Sequence, residues 1–324
     1  MIPRLDLSDN TNRWGMPPSA ERALRQYATT GLSRYPDAYA TALKQAIASY
    51  CDVDADRVVT GCGSDDVLDA AIRACRQPGD ALATIAPSFT MIPLFAQLNA
   101  LDLAPVPLLP SWDIDAEGLL ATRATVTYLC SPNNPTGTLA SRASVERVVD
   151  GAAGIVIMDE AYTEFTDANF LDLARTRTNV LVVRTLSKAF GLAGLRVGYA
   201  IGDPALVRRV EHSRGPFKVT GFAAAAAIAA LGDGREWVSA RAALARDARQ
   251  WLTARLRERG MEPAPAFGNF VFVPLPDAPA VVDHMRSRGV AVRAFPNGLR
   301  ITVGPPHELV DALDAFDAAM LACV

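Results

Sequence analysis

Short apolar runs alternate with longer amphipathic stretches from residue 57 to residue 202. The runs RVVTGCG (57–63), DALATIA (80–86), LAPVPL (103–108), TVTYLC (125–130), GIVIMDEAY (154–162), NVLVVRTLS (179–187) and RVGYAIG (196–202) each predict a short buried strand. They are rich in β-branched residues and almost continuously hydrophobic, as strands covered on both faces must be. DDVLDAAIRAC (65–75) and SVERVVDGA (144–152) predict helices between them. Strands alternating with helices predict the α/β class, with a mostly parallel sheet and helices on both sides.

The flanks read differently. Residues 1 to about 18 are polar and carry prolines, which predicts an arm without regular structure. Ser19 caps a predicted helix over 19–30, and a second helix is predicted over 38–51, after a turn at Tyr35-Pro36. Beyond residue 220 come a short Ala-rich helix (FAAAAAIAAL, 222–231) and a long one over about 234–259. The strands FVFVPL, VAVRAF and LRITVG follow, with helices at 278–288 and 306–322. The predicted division is a large domain over 29–230 and a smaller α+β domain that combines 1–28 with 231–324.

With 324 residues, half of them hydrophobic, the chain can build a large core. Its formal charge of −3 does not point to a nucleic acid or a membrane surface. Neither a secretory leader nor an 18-residue apolar span is expected. Five cysteines without a CxxC spacing suggest reduced thiols in a cytoplasm. His212, His284 and His307 lie far apart, so no metal site is expected.

Chemistry is expected at the C-terminal ends of the strands, the edge along which open α/β sheets bind ligands. The stretch GIVIM runs straight into Asp159. Leaving that carboxylate unpaired would be costly. A cationic partner such as a ring N–H⁺ is therefore expected, with an exposed acid paired to an arginine as the alternative. Lys188 follows another apolar strand. Among apolar walls and other cations its amine would attack a carbonyl; taken alone, it reads sooner as a solvated loop lysine. Arg196 comes eight residues later, past Gly191 and Gly194, and its fork suits a phosphate. The turn GCGSDD (61–66) opens a helix, so the amides of Gly63, Ser64 and Asp65 would form an anion site. Ser64 also fits a plain helix cap. In SPNNPTG (131–137), Asn134 precedes a proline and is held extended, facing a cleft or forming an ordinary turn.

Each feature is weak alone, yet one ligand needs them all. A phosphate would use Arg196, Ser187 and the amides of 63–65. A pyridinium would use Asp159, an aldehyde Lys188, and a phenolate oxygen donors such as Asn134 and Tyr162. Pyridoxal 5′-phosphate (PLP) combines all four groups.

The stretches RYPDAY (34–39), GCGSDDVLDAAIRA (61–74), CSPNNPTG (130–137), DEAYTEF (159–165), RTLSKAFGLAGLRVGY (184–199) and LRITVG (299–304) then make the chain recognisable. It resembles the fold-type I PLP-dependent aminotransferases, and among them the histidinol-phosphate aminotransferases. The resemblance implies that Lys188 bonds the cofactor covalently and moves the substrate proton. Asp159 would keep the ring nitrogen protonated, and Asn134 and Tyr162 would bind the ring oxygen. Ser187, Arg196, Ser64 and the Asp65 amide would hold the phosphate, and Phe89 would stack on the ring. Tyr35 would reach the phosphate in a neighbouring subunit, implying a homodimer with shared sites. Arg300 would bind the substrate carboxylate.

Some positions depart from the family pattern. Trp14 stands where relatives have a tyrosine associated with the substrate phosphate, and Lys218 stands where an asparagine is common. Arg293 does match an arginine that helps bind that phosphate. The implied activity moves an amino group from histidinol phosphate or an aromatic amino acid to a 2-oxo acid. Two rivals share the fold: a PLP-dependent lyase such as threonine-phosphate decarboxylase, and a non-catalytic PLP-binding protein.

Overall fold

The computed structural model describes residues 3–28, 31–77 and 79–323. The strands are, in chain order, β1 (Leu5–Asp6), β2 (Val58–Cys62), β3 (Ala81–Ala86), β4 (Asp102–Pro107), β5 (Val126–Cys130), β6 (Ile155–Asp159), β7 (Val180–Thr185), β8 (Val197–Gly202), β9 (Phe270–Pro274), β10 (Val290–Ala291), β11 (Arg293–Phe295) and β12 (Gly298–Thr302). Seven of them form one sheet in the order β2-β8-β7-β6-β5-β3-β4. Neighbours pair in parallel except at β8, which runs antiparallel to both β7 and β2. Every residue of β5, β6 and β7 is buried. Along β6, Val156 and Met158 join one apolar cluster while Ile155 and Ile157 join another. Each face of the sheet therefore carries its own core, which is why these strands show no polar alternation.

The arm differs from the expectation. β1 pairs in parallel with β10, placing Leu5 opposite Val290, and Leu5 and Leu7 are buried. Two apolar positions two residues apart are enough for a strand edge but too few to register as a pattern. VAVRAF, expected as one strand, is two: β10 pairs with the arm, and past Val292 the chain changes partner, so that β11 pairs with β12. Helix boundaries move by a few residues. The first helix is Pro18–Ala28, its predicted last two residues lying outside the described ones, and the second starts at Thr41. The helix Pro18–Ala28 packs chiefly on the helix Gly221–Leu231. The arm thus divides its contacts: its strand pairs with β10 and its helix packs on the helix Gly221–Leu231.

A buried ion pair lies beside the sheet. The Arg184 guanidinium, on β7, donates to Glu160 Oε2 at 2.7 Å, and both side chains are buried. Breaking a buried pair from one side leaves a bare charge. Arg184→Met is expected to destabilise the protein by about 3–5 kcal/mol, read as a lower urea midpoint.

Candidate active site

The C-terminal ends of β5, β6 and β7 and the start of the helix Gly63–Cys75 converge on a cavity of about 350 Å³. Asp159 closes β6 at its floor. Burial pushes the carboxyl up to about 6, against the hydrogen bonds that favour its ionised form. Those bonds come from the Tyr128 hydroxyl to Oδ2 at 2.7 Å and from the Ala161 amide to Oδ1 at 3.0 Å. No cation pairs with Asp159 among the described residues. Tyr128 was not singled out in the sequence; its only signal is a phenol in a buried strand. Tyr128→Phe removes one donor and leaves Asp159 harder to ionise. The expected result is a roughly tenfold loss in kcat/KM, with the acid limb of the pH profile moved to higher pH.

Lys188 follows β7. Its Nζ donates to the Asp9 carbonyl at 3.0 Å and lies 5.8 Å from the centre of the Tyr162 ring. Burial, with Arg300 nearby, lowers its pKa to about 8. Asn134 and Tyr162 line the same cavity. Tyr162 is held edge-on against Phe270, with ring centres 5.0 Å apart.

Arg196, Ser187, Ser64 and Asp65 line the cavity together. The Arg196 guanidinium donates to Ser187 Oγ at 3.5 Å and to Asp65 Oδ2 at 3.1 Å. Gly63 does not line the cavity but makes this cluster possible. A Cβ there would sit 2.4 Å from Arg196 Nη2, and its φ of +80° favours glycine in any case. Gly198 does the same from β8, where a Cβ would sit 2.2 Å from the Ser64 amide nitrogen.

Arg293 and Arg300 face each other across β11 and β12 and line the opposite wall with Phe295. Arg300 is 6% exposed and lies over the rings of Phe270 and Phe295. It donates to Asn134 Oδ1 and to the Ser8 carbonyl, while its buried Nε–H has no acceptor among the described residues. Phe89 also lines the cavity and leans on the apolar cluster beside it.

Three predicted residues lie elsewhere. Trp14 packs on the apolar core instead of lining the cavity. The bend after Asn12 carries its ring there, with the Asn12 side chain bonding the Ala189 carbonyl and the Trp14 amide. Lys218 pairs with Asp66 at 3.4 Å, on the outer side of the helix Gly63–Cys75. Tyr35 is 89% exposed, packs on Phe217 and does not line the cavity. In their place the arm supplies Asp9, Asn10 and Thr11, with the Asp9 carbonyl accepting from Lys188 and the Asn10 side chain donating to Tyr162.

Comparison with known proteins decides the family. The pattern of aminotransferase class I and II matches residues 3–316. The chain belongs to the class I and II aminotransferases. This aminotransferase is 40% identical over 320 residues to the histidinol-phosphate aminotransferase of Thermobifida fusca, covering 93% of this chain and 86% of that one. It is 35% identical over 321 residues to the aromatic amino acid aminotransferase of Rhodococcus erythropolis, covering 96% and 89%. Its fold superposes with a TM-score of 0.92 on the histidinol-phosphate aminotransferase of Sinorhizobium meliloti in complex with pyridoxal-5′-phosphate, at 27% identity, covering 100% of this chain and 92% of that one. Among the described residues no helix of this aminotransferase is long and apolar enough to cross a membrane.

Proposed function

We propose that this aminotransferase holds PLP on Lys188 and moves an amino group between histidinol phosphate and a 2-oxo acid. The observation that carries the substrate is the pair Arg293 and Arg300. Two guanidinium groups directly opposite on neighbouring strands repel each other unless an anion lies between or beside them. Their shared cavity is the one that contains Lys188.

The residues present fit the cofactor. Asp159 is a buried carboxylate without a cation, as a protonated ring nitrogen requires. Arg196 is laid across Gly63 beside Ser187 and the Ser64 amide, as a phosphate requires. When bound, PLP supplies an electron sink that stabilises negative charge at the substrate α-carbon. The chain's own residues do the rest. Lys188, with its pKa near 8, holds or releases a proton at Nζ close to neutral pH. Arg300 orients a carboxylate through the nitrogens that now bond Ser8 and Asn134, and its free Nε–H offers a further donor. The apolar faces of Phe89, Phe270 and Phe295 keep water from these charges.

An aromatic amino acid is the second reading for the amino donor. It is supported by Trp14, which replaces a residue associated with the phosphate and packs away from the cavity, and by the phenylalanines of the wall. A donor screen with histidinol phosphate, phenylalanine, tyrosine and glutamate separates the two. The first reading expects histidinol phosphate to react best and Arg293→Gln to raise its KM about tenfold or more. Turnover of phenylalanine with an inert histidinol phosphate would overturn it.

A homodimer with shared sites is part of the same proposal. Tyr35, Leu32 and Phe217 are all exposed and border one apolar groove, which a second copy would cover. A cytoplasmic location is supported by five free cysteines.

A further inference from the structure

The N-terminal arm reaches the cavity at Asn10, which is 1% exposed. Its backbone is left-handed at φ 55°, a conformation asparagine tolerates better than most residues. Three hydrogen bonds then determine which end of its side-chain amide points where. The Asn10 backbone N–H can only donate, and it donates to Thr302 Oγ1 at 3.0 Å. Thr302 is fully buried, and its hydroxyl proton goes to Asn10 Oδ1 at 3.0 Å. That assigns the amide oxygen. The remaining end, Nδ2, can only donate, and it donates to the Tyr162 hydroxyl oxygen at 2.9 Å.

A phenol whose oxygen already receives a hydrogen bond still has its own proton to place. Among the described residues the Tyr162 hydroxyl donates to none, and both Tyr162 and Asn10 line the cavity. The ring cannot swing to seek another partner, because Phe270 packs edge-on against it. Burial holds the phenol well above its ordinary pKa, so the proton stays on the oxygen.

We propose that Asn10 is a positioning residue that sets the direction of the Tyr162 hydroxyl, so that Tyr162 donates into the cavity, to the ring oxygen of bound PLP. This rests on the PLP reading above. It makes the arm part of the cofactor's electronic environment, acting through Tyr162 without touching PLP. A donor aimed at the ring oxygen favours its anionic form. It therefore lowers the pH at which the absorbance of the PLP-loaded protein changes.

The test is a pH titration of that absorbance without substrate, for the wild type, Asn10→Asp, Tyr162→Phe and the double variant. A carboxylate at position 10 can only accept, so it turns the Tyr162 proton away from the cavity. Asn10→Asp is expected to raise the midpoint by about one pH unit, the tenfold effect of one hydrogen bond to a charged group. In the Tyr162→Phe background it should add little. Asn10→Ala introduces no charge and should give a smaller rise in the same direction. An unchanged midpoint in Asn10→Asp and Asn10→Ala would overturn the proposal. So would an equal shift with and without the Tyr162 hydroxyl, since the new charge would then act through space. A wild-type protein that shows no PLP absorbance at all would overturn the cofactor reading, and this proposal with it.

Discussion

Lys188→Ala is expected to fold normally and to lose roughly 10⁴-fold or more in kcat, because one side chain is both the covalent anchor and the proton carrier. Its surroundings set it apart from every other lysine of the chain. There are three, Lys44, Lys188 and Lys218. Lys44 pairs with Glu211 at 2.8 Å and Lys218 with Asp66 at 3.4 Å, so each has a carboxylate partner. Among the described residues Lys188 hydrogen-bonds a backbone carbonyl and forms no ion pair; burial and Arg300 oppose its charge more than Asp9 and Asp65 favour it. Its pKa in the folded protein, about 8, lies below its ordinary value of 10.5. Between those two values the unfolded chain binds more protons than the folded one, so this lysine makes stability rise with pH across that window. Lys188→Ala should abolish that rise and be at least as stable as the wild type at pH 7. Melting temperatures of the cofactor-free proteins at pH 7 and pH 9 check it.

Asp159→Asn is expected to separate stability from function. The folded protein raises this carboxyl from 3.8 to about 6. In that interval the folded form binds more protons than the unfolded one, so stability falls as pH rises through it, and the cost is complete above about pH 6. An amide of the same shape removes the cost. Cofactor-free Asp159→Asn should be more stable than the wild type at pH 7 by roughly 3 kcal/mol. The same change removes the charge that balances a protonated ring nitrogen, so kcat/KM should fall by about 10³-fold or more. Urea unfolding without cofactor and steady-state kinetics with PLP check the two halves. A buried acid kept at a cost to the fold, beside a lysine kept at a similar cost, is the pattern of a site maintained for chemistry.

The inner strands β5, β6 and β7 were legible because they are buried on both faces, which leaves apolar runs ending in polar residues; β4, also expected to be buried, is a largely exposed edge strand. Asp159, Lys188 and Asn134 stand at those ends, and the cavity gathers them where the runs stop. The arm was not legible. β1 is held by two leucines and a parallel partner almost 300 residues away, and the groups it brings to the site are mostly carbonyls, which every residue has. Tyr128 was hidden by residue type, since a tyrosine in a buried strand reads as packing until its hydroxyl is seen on Asp159. Trp14 shows the opposite failure. Position in a motif suggested a substrate contact, but a bend fixed by Asn12 sends the ring into the core. Tyr35 is exposed and away from the cavity, so its motif position alone did not reveal its surroundings.

The central claim is that Lys188 is the residue that bonds PLP. The direct measurement is to incubate the protein with PLP, reduce with borohydride, digest it, and locate the added mass by peptide mass spectrometry. The account predicts the label on the peptide containing Lys188, at one per chain, with Lys44 and Lys218 unmodified. Label on Lys44 or Lys218 at equal yield, or a Lys188→Ala variant that retains the label stoichiometrically, would contradict it.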